Sequence, residues 1–334
     1  RQRPQNMTTS SSWRGADVLA VDDFDESMVR EVFETAAAMK RMVAVKGGSD
    51  VLRGRVLANV FYEPSTRTMC SFDAAMKRLG GQVVSVSEST SSAKKGETLE
   101  DTVRCLECYC DAMVLRHPQV GTAARAAAAA RKPILNAGDG VGEHPTQALL
   151  DLFTVATAWA ETGAAPPDML GCLAGKQLTL LGDLKHGRTT HSLALLCSRL
   201  AAPPSLVLVS PPELRMPQAV CDKLRARGVA VEETDALRQV LPQTDVLYVT
   251  RVQRERFATE EAYCAVAGSY VVDKALMEAA PQRCVVLHPL PRVDEISIDF
   301  DADPRARYFE QMENGMYVRM ALLALVLGAD LAAL

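Results

Sequence analysis

The chain has 334 residues, of which 48% are hydrophobic and 23% are charged, and its formal net charge is −4. This length predicts two domains or one large one, with enough apolar residues for substantial cores. The small negative charge without a basic stripe argues against a nucleic-acid partner, and the lack of an apolar run of spanning length argues against a membrane protein.

Cysteine usage and the first residues indicate the compartment and the organisation of the chain. Nine cysteines are scattered without the spacing of a small secreted domain, which predicts reduced thiols and a cytoplasmic location. We interpret Cys105, Cys108 and Cys110 as buried core thiols rather than a metal cluster.

No signal peptide is visible, and residues 1–16, which begin with Arg1, have the composition of a linker or tail. Such a start is typical of a module from a longer polypeptide or of a processed chain.

The first half alternates strands and helices in chain order. Apolar periodicity predicts helices over residues 24–45, 98–109, 123–130 and 145–159, with another starting near Ser65. Strands are predicted over residues 55–60, 82–87, 112–115 and 133–136. Residues 88–96 are polar without an apolar anchor and predict a mobile loop.

The second half repeats this alternation after a Pro- and Gly-rich connection at 164–175. The predicted strands are 177–181, 206–209, 246–250 and 285–287, and the predicted helices are 190–200, 217–227 and 314–327. We therefore expect an α/β fold of two doubly wound domains with mostly parallel sheets and helices on both faces, the C-terminal helix packing back on the first domain. The predicted domains are residues 17–150, joined by 306–334, and residues 151–305.

One segment, Ser65, Thr66, Arg67 and Thr68, lies where a strand gives way to a helix. The strand end delivers three hydroxyls, backbone N–H groups and one guanidinium to a helix N-terminus. Because unpaired N–H donors and the helix dipole both favour negative charge, this arrangement predicts a site for a phosphate-like dianion. The alternative is a capped helix whose Arg67 is only solvated.

Further polar clusters follow other predicted strands, at Arg116, 136–147, 183–188, 251–253 and 288–292. Since the carboxyl ends of parallel strands form the binding edge of such sheets, the clusters predict an active site in the crevice between the domains. The cationic residues of the predicted site are Arg67, Arg116, Arg188 and Arg251, with Lys95 on the polar loop. Together they predict substrates that carry several negative charges. His144 and Gln147 can present a donor and an amide to a polar carbonyl. No covalent nucleophile stands beside a base, which favours direct transfer between two bound substrates.

Two glycine-containing segments resemble nucleotide-binding motifs only in part. Residues 182–189 have P-loop spacing after a strand, but Arg188 stands where that loop needs lysine. Gly138, Gly140 and Gly142 do not form the dinucleotide fingerprint. Both observations argue against nucleotide chemistry.

Seven segments, in this order, resemble the aspartate carbamoyltransferase family: 61–68, 91–97, 116–119, 136–147, 182–189, 250–253 and 288–292. The resemblance runs from residue 18 to 328 and is closer to the form in eukaryotic multifunctional pyrimidine enzymes than to the bacterial one. It implies that carbamoyl phosphate and L-aspartate give N-carbamoyl-L-aspartate and phosphate, an early step of de novo pyrimidine biosynthesis. It implies no metal and no cofactor.

The resemblance also assigns site residues. Those for carbamoyl phosphate are Ser65, Thr66, Arg67, Thr68, Ser91, Lys95, Arg116, His144, Gln147, Leu290 and Pro291. Those for aspartate are Lys95, Arg188, Arg251 and Gln253. The catalytic group is Arg67, Thr68, Lys95, Arg116, His144 and Gln147, with Arg116 and His144 polarising the carbamoyl oxygen as a tetrahedral centre forms.

Assembly is implied in the same way. In the family the loop carrying Ser91 and Lys95 comes from a neighbouring subunit, so the resemblance implies a homotrimer with shared active sites, compatible with fusion to or association with other pyrimidine-pathway enzymes. Glu63, Arg188 and Arg256 resemble the ion set that closes the domains.

Three alternatives stay open at this stage. An ornithine carbamoyltransferase-like enzyme would typically show His-Cys-Leu-Pro at 288–291 and lack the Thr-Arg-x-Gln of 250–253. A nicotinamide-dependent oxidoreductase lacks its fingerprint here. If the chain were a non-catalytic assembly module, we would expect its site residues to be replaced by other residues, whereas every family position named above is intact.

Overall fold

The computed structural model describes residues 13–87, 95–161 and 169–333. The strands are β1 (Val56–Phe61), β2 (Gln82–Ser87), β3 (Ala112–His117), β4 (Ile134–Asp139), β5 (Gln177–Leu181), β6 (Ser205–Val209), β7 (Val231–Thr234), β8 (Val246–Val249) and β9 (Val285–Leu287). The longer helices are α1 (Glu26–Lys46), α2 (Thr66–Arg78), α3 (Leu99–Leu106), α4 (Thr122–Ala129), α5 (Pro145–Glu161), α6 (Arg188–Cys197), α7 (Gln218–Ala226) and, last in the chain, α11 (Tyr308–Leu327). Three short helices lie between: α8 (Leu237–Val240), α9 (Glu260–Cys264) and α10 (Lys274–Met277).

The chain divides into two compact units, and the contents of each are discontinuous in sequence. Unit 1 contains the described residues up to Asp23, then Glu31–Thr146, and the chain from Gly315 onward; unit 2 contains Phe24–Arg30 and Gln147–Asn314. The domain bounds expected from the sequence stay a prediction.

Unit 1 is built on a four-stranded parallel sheet in the order β2-β1-β3-β4. β1, β3 and β4 are buried along almost their whole length, while β2 at the edge is largely exposed. Continuous apolar runs suit strands that are covered on both faces, and α2 and α4 contact this sheet. The C-terminal part of α11 packs on the same unit, where the Arg319 guanidinium lies 5.0 Å from the centre of the Phe72 ring. The predicted return of this helix is therefore confirmed.

Unit 2 contains a five-stranded parallel sheet in the order β7-β6-β5-β8-β9. One of its apolar clusters includes Leu181, Val249, Val286 and Phe300, all buried. Together the two sheets confirm the expected α/β class with parallel sheets flanked by helices.

Each sheet has one place where the strand order reverses direction. In unit 1 the chain moves from β1 outward to β2 and then returns to β3 on the other side of β1; in unit 2 the same reversal lies between β5 and β8. Ligands of open α/β sheets bind beyond the carboxyl ends of the strands at such a switch point. The segments after β1, β3, β5 and β8 are therefore the first places to look for a site.

Trp13, the first described residue, is 2% exposed and donates from Nε1 to Glu31 at 2.7 Å. One expectation from the sequence is wrong. Cys105 and Cys108 are exposed, and only Cys110 of the three is a buried thiol, whose pKa burial raises to about 11.

Within residues 13–87, 95–161 and 169–333, no His, Cys, Asp or Glu group is arranged to hold a metal ion. No described helix is long and apolar enough to cross a membrane.

Candidate active site

The turn between β1 and α2 forms the first part of the candidate site. α2 begins at Thr66, and Ser65 occupies the N-cap position with an extended backbone (φ −160°, ψ 92°) but does not cap the helix with its side chain. The Ser65 hydroxyl therefore does not accept from the N–H groups of the first turn. Thr66 and Arg67 are exposed, Thr68 is buried, and the first turn of α2 contains no acidic residue. A helix N-terminus without acidic residues favours a bound anion, and the anion site itself stays a prediction.

Arg116 is the last residue but one of β3, beside that turn, and is held on two sides. It pairs in register with Phe61 of β1, and its side chain is largely buried, at 10% exposed. One terminal nitrogen donates to the Ala137 carbonyl at 3.1 Å and the other to Glu63 at 2.9 Å. A buried guanidinium fixed this way has its fork oriented before a ligand arrives.

The segment after β4 is shaped by Asp139 and its glycines. Asp139 accepts hydrogen bonds from the backbone N–H groups of Glu143 and Gly121, both at 2.8 Å. Gly140 has φ +58°, and a Cβ there would lie 2.5 Å from the Pro118 carbonyl oxygen. The glycine run therefore serves a tight turn rather than a dinucleotide.

His144 follows this turn and is 2% exposed. Its Nδ1 lies 3.5 Å from the Thr146 hydroxyl, which accepts from Arg319 at 3.4 Å. Arg319 also donates to Ser71 of α2. This arginine of α11 thus connects the His144 segment to the helix whose N-terminus is the candidate anion site. Arg319 was not predicted as a site residue, because nothing in the α11 sequence pattern marks it as reaching α2.

In unit 2, Asp183 joins the two segments that leave β5 and β8. It is fully buried, accepts from the backbone N–H of His186 at 3.0 Å, and accepts from the backbone N–H of Gln253 at 3.3 Å. Gly182 has φ +114°, and a Cβ there would lie 2.2 Å from the Thr250 carbonyl oxygen. The P-loop-like spacing therefore reflects a close backbone approach between these two segments.

The predicted aspartate-binding arginines lie at the same strand ends. Arg188 is the first residue of α6, and Arg251 and Gln253 are the second and fourth residues after β8. Arg251 forms a two-point ion pair with Glu255, and one of its contacts measures 3.0 Å. The hydrogen bond to Glu255 raises the pKa of Arg251, against the opposing effect of burial. Sequence reasoning missed Glu255, although its spacing four residues after Arg251 is a signal for such a pair.

Gln147 and Leu290, both predicted to contact the carbamoyl group, are each tied to a buried side chain of unit 2. Gln147 Nε2 donates to Asp151 at 2.8 Å, and the Leu290 N–H donates to His288 Nδ1 at 2.7 Å. Leu290 has φ +53° and precedes Pro291 through a cis peptide bond. Asp151 was also missed, although it lies one helical turn after Gln147 on α5.

Of the remaining predicted residues, Lys95 is exposed, and Ser91 lies outside the described residues. The ion set of Glu63 with Arg188 and Arg256 stays a prediction.

Two family models match most of the chain. The model of the carbamoyl-P binding domain of aspartate/ornithine carbamoyltransferase matches residues 16–157, and that of the Asp/Orn binding domain matches residues 174–326. The chain belongs to the aspartate/ornithine carbamoyltransferase family. The family resemblance predicted from the motifs is thereby confirmed.

Individual relatives fall on the aspartate side of the family. The chain is 50% identical to the multifunctional protein CAD of Squalus acanthias over 94% of its own length but only 13% of that protein, so it spans about one eighth of this relative. It is 47% identical to the aspartate carbamoyltransferase catalytic subunit of Thermococcus gammatolerans, over 95% of this chain and 99% of the relative. A crystal structure of aspartate transcarbamoylase from Trypanosoma cruzi with carbamoyl aspartate and phosphate superposes with a TM-score of 0.87 at 42% identity, covering 95% of this chain and 97% of that one. The predicted similarity to the multifunctional form is confirmed.

Proposed function

We propose that this chain is an aspartate carbamoyltransferase, which transfers the carbamoyl group of carbamoyl phosphate to L-aspartate and releases phosphate in de novo pyrimidine biosynthesis. One observation carries the proposal: the motifs that resemble the family follow the strands on both sides of each switch point. Near-complete coverage of an archaeal catalytic subunit at 47% identity supports it, as does the bound carbamoyl aspartate and phosphate in the Trypanosoma cruzi structure.

Carbamoyl phosphate is assigned first to unit 1. The phosphate dianion would accept from the first-turn N–H groups of α2 and from the side chains of Ser65, Thr66, Arg67 and Thr68. Arg116 and His144 would donate to the carbamoyl oxygen, on which negative charge grows as the tetrahedral intermediate forms. Because Glu63 and the Ala137 carbonyl already hold the Arg116 guanidinium, little reorganisation is needed when that charge develops.

The second substrate is assigned to unit 2. Arg188 and Arg251 would bind the two carboxylates of aspartate, with Gln253 beside them, and Lys95 would contact both ligands. Forked guanidinium groups suit carboxylates, whereas ornithine would bring an additional cation to this set. Gln147 and the backbone of Leu290 and Pro291 would contact the carbamoyl amide. Direct transfer then needs no covalent enzyme intermediate.

The proposal also includes the assembly and the cellular location of the chain. We assign the chain to a homotrimer in which Ser91 and Lys95 serve a neighbouring subunit, and to the cytoplasm. All nine cysteines lie in the described residues and none of them is in a disulfide, which supports a reducing compartment. The match to a small part of a multifunctional relative supports association with other pyrimidine enzymes.

The test is a colorimetric assay of N-carbamoyl-L-aspartate made by the purified chain in the presence of a chelator. Product and phosphate are expected in equal amounts when L-aspartate is present, and neither with L-ornithine in its place. Arg116→Met provides an inactive control of similar side-chain length. Activity with ornithine alone, or a requirement for a nucleotide, would refute the assignment.

A further inference from the structure

A buried chain of hydrogen bonds in unit 2 connects Gln147 to Leu290. Asp151 Oδ1 accepts from Gln147 Nε2 at 2.8 Å and from Gln311 Nε2 at 2.6 Å. Gln311 Oε1 accepts from the backbone N–H of His288 at 2.9 Å, and His288 Nδ1 accepts from the N–H of Leu290 at 2.7 Å. We call these five residues the relay. Asp151 and Gln311 are fully buried and His288 is 1% exposed, so water does not compete for the bonds of Asp151 and Gln311, while the bond at Leu290 is half-buried.

The relay fixes which end of the Gln147 amide faces Asp151. A carboxylate oxygen that receives two amide donors acts as an acceptor, so Gln147 must present Nε2 to it. Gln311 cannot reverse this order, because the His288 N–H requires its amide oxygen and leaves Nε2 for Asp151. A flip of Gln147 would place two acceptor oxygens against each other. Gln147 therefore keeps Oε1 for a ligand.

The other end of the relay fixes the turn at Leu290. Since His288 Nδ1 accepts a hydrogen bond, it carries no proton, and Nε2 holds the hydrogen that is donated to Glu295 at 2.6 Å. The imidazole is thus neutral, with its proton on Nε2. The Leu290 N–H is already used and Pro291 has none, so this turn offers a ligand only carbonyl oxygens.

We propose that Asp151, Gln311 and His288 are positioning residues that make the site select a carbamoyl NH2 group, by holding Gln147 and the Leu290–Pro291 backbone as hydrogen-bond acceptors. The inference rests on the proposed function, which assigns both groups to the carbamoyl amide. An NH2 group donates two hydrogen bonds, whereas the methyl group of acetyl phosphate has a similar shape and donates none. Buried acceptors reject an analogue that leaves them without donors.

The experiment compares the binding of carbamoyl phosphate and acetyl phosphate to the intact chain. The dissociation constant of carbamoyl phosphate is measured by calorimetry, and that of acetyl phosphate by competition against it. We expect the wild-type chain to prefer carbamoyl phosphate by at least about tenfold. In Asp151→Ala this preference should fall by about 5- to 10-fold, through weaker binding of carbamoyl phosphate, with acetyl phosphate changed by less than about twofold.

Asp151→Asn is the matched control, because it retains an oxygen at the Oδ1 position. Its preference should stay within about twofold of wild type. A merely structural role of Asp151 would weaken both ligands alike. Equal weakening in a folded Asp151→Ala chain, or a wild-type chain that does not discriminate, would overturn the proposal.

Two further measurements do not depend on Asp151→Ala folding. Gln311→Met keeps the side-chain length but loses both hydrogen bonds. Like Asp151→Ala, it should lower the preference for carbamoyl phosphate over acetyl phosphate. An unchanged ratio of the two dissociation constants in the folded variant contradicts the relay. In the wild-type chain, ¹⁵N NMR, assigned by His288→Gln, should show His288 neutral with a bare Nδ1 at pH 6. A proton on Nδ1 would also overturn the proposal.

The outcomes separate this inference from the function on which it rests. A wild-type chain that forms no N-carbamoyl-L-aspartate refutes the proposed function. A wild-type chain that forms the product, with an unchanged ligand preference in the folded relay variants, refutes only the positioning role.

Discussion

Arg251 and Glu255, four residues apart after β8, form a two-point ion pair in unit 2. The Arg251 side chain is 26% exposed and that of Glu255 is 54% exposed, so the pair lies at the surface with the guanidinium the more buried partner. A surface pair contributes little to stability. Its consequence is geometric, because Glu255 holds the Arg251 fork in one orientation before a substrate carboxylate binds.

Replacing Glu255 with Gln should therefore impair the use of aspartate rather than the fold. We expect the KM for aspartate to rise about three- to tenfold, the equivalent of about 1 kcal/mol, with little change in the free energy of unfolding. Steady-state kinetics at saturating carbamoyl phosphate measures this. Glu260→Gln is the control, since Glu260 forms an exposed pair with Arg254 at 2.9 Å. An unchanged KM in Glu255→Gln would show that Arg251 needs no such orientation.

The division of charge between the two substrates gives a second prediction. Arg67→Ala should weaken carbamoyl phosphate binding, since Arg67 lies in the first turn of α2, while Arg251→Ala should chiefly impair aspartate use. Loss of a charge-assisted contact to a bound anion costs roughly 1.5–3 kcal/mol, or about 10- to 200-fold. Calorimetry with carbamoyl phosphate alone separates the two variants. If Arg251→Ala weakens that ligand as severely as Arg67→Ala does, the assignment of Arg251 to aspartate is wrong.

A third prediction concerns stability and pH at Asp303 and Arg305. The Arg305 side chain is 7% exposed; it donates to Asp303 at 2.7 Å and to the Met277 carbonyl at 2.7 Å. The hydrogen bond from Arg305, opposed by burial, lowers the pKa of Asp303. A lowered pKa stabilises the fold above the pKa of the unfolded state, and this contribution is lost as pH falls below about 4.

Asp303→Asn should thus destabilise the chain by roughly 3 kcal/mol at pH 7, because it leaves a buried guanidinium without its charge partner. The difference from wild type should shrink as pH falls below about 4, because Asp303 of the unfolded chain then binds a proton while the folded carboxyl, with its lowered pKa, is still charged. Urea unfolding at several pH values measures both effects. Asp73→Asn, which breaks the exposed pair with Lys77, should change stability by less than about 0.5 kcal/mol. A difference that persists unchanged to pH 3 would contradict the linkage.

The elements that the sequence predicted well are those with a strong local signal. β5 and β9 have the predicted bounds because each is a short apolar run between turn residues. β7 was missed: three of the four residues in its sequence, Val-Glu-Glu-Thr, are polar, and it forms an edge strand that is only partly buried. The short helices α8 to α10 were missed as well, because four or five residues are too few to show a helical period.

The same holds for the candidate site: residues with a local sequence signal were predicted, and the others were not. The rule that ligands bind beyond the carboxyl ends of parallel strands identified Arg116 and Arg188, because it depends only on where the strands end. It could not find the residues that orient the site, since these depend on tertiary contacts: Asp151, which holds Gln147, also binds Gln311, which is 160 residues away in sequence. The Ala137 carbonyl that fixes Arg116 is a backbone atom and has no sequence signal at all.

The last prediction tests the shared site, for which the chain itself gives one physical reason. Lys95 is exposed, and the neighbouring sequence is polar, so it gains a role only if another surface meets it. Suppose that Lys95 serves a neighbouring subunit while Arg67 acts in its own. Lys95→Ala and Arg67→Ala homotrimers should then each be nearly inactive, because every site has one lesion.

Mixing the two variants after dissociation should restore activity. Each boundary in the trimer joins the Lys95 loop of one subunit to the Arg67 site of the next. In every trimer that contains both variants, one boundary carries both mutations. Another boundary then carries neither, and the site there is intact. Equal amounts that assemble at random give about three quarters mixed trimers, each with one intact site in three, so about a quarter of wild-type activity should return. Native mass spectrometry verifies the mixing, and Lys95→Ala mixed with itself is the control. If each site is built within one chain, verified mixed trimers will remain inactive, and Lys95 will have no role in a neighbour's site.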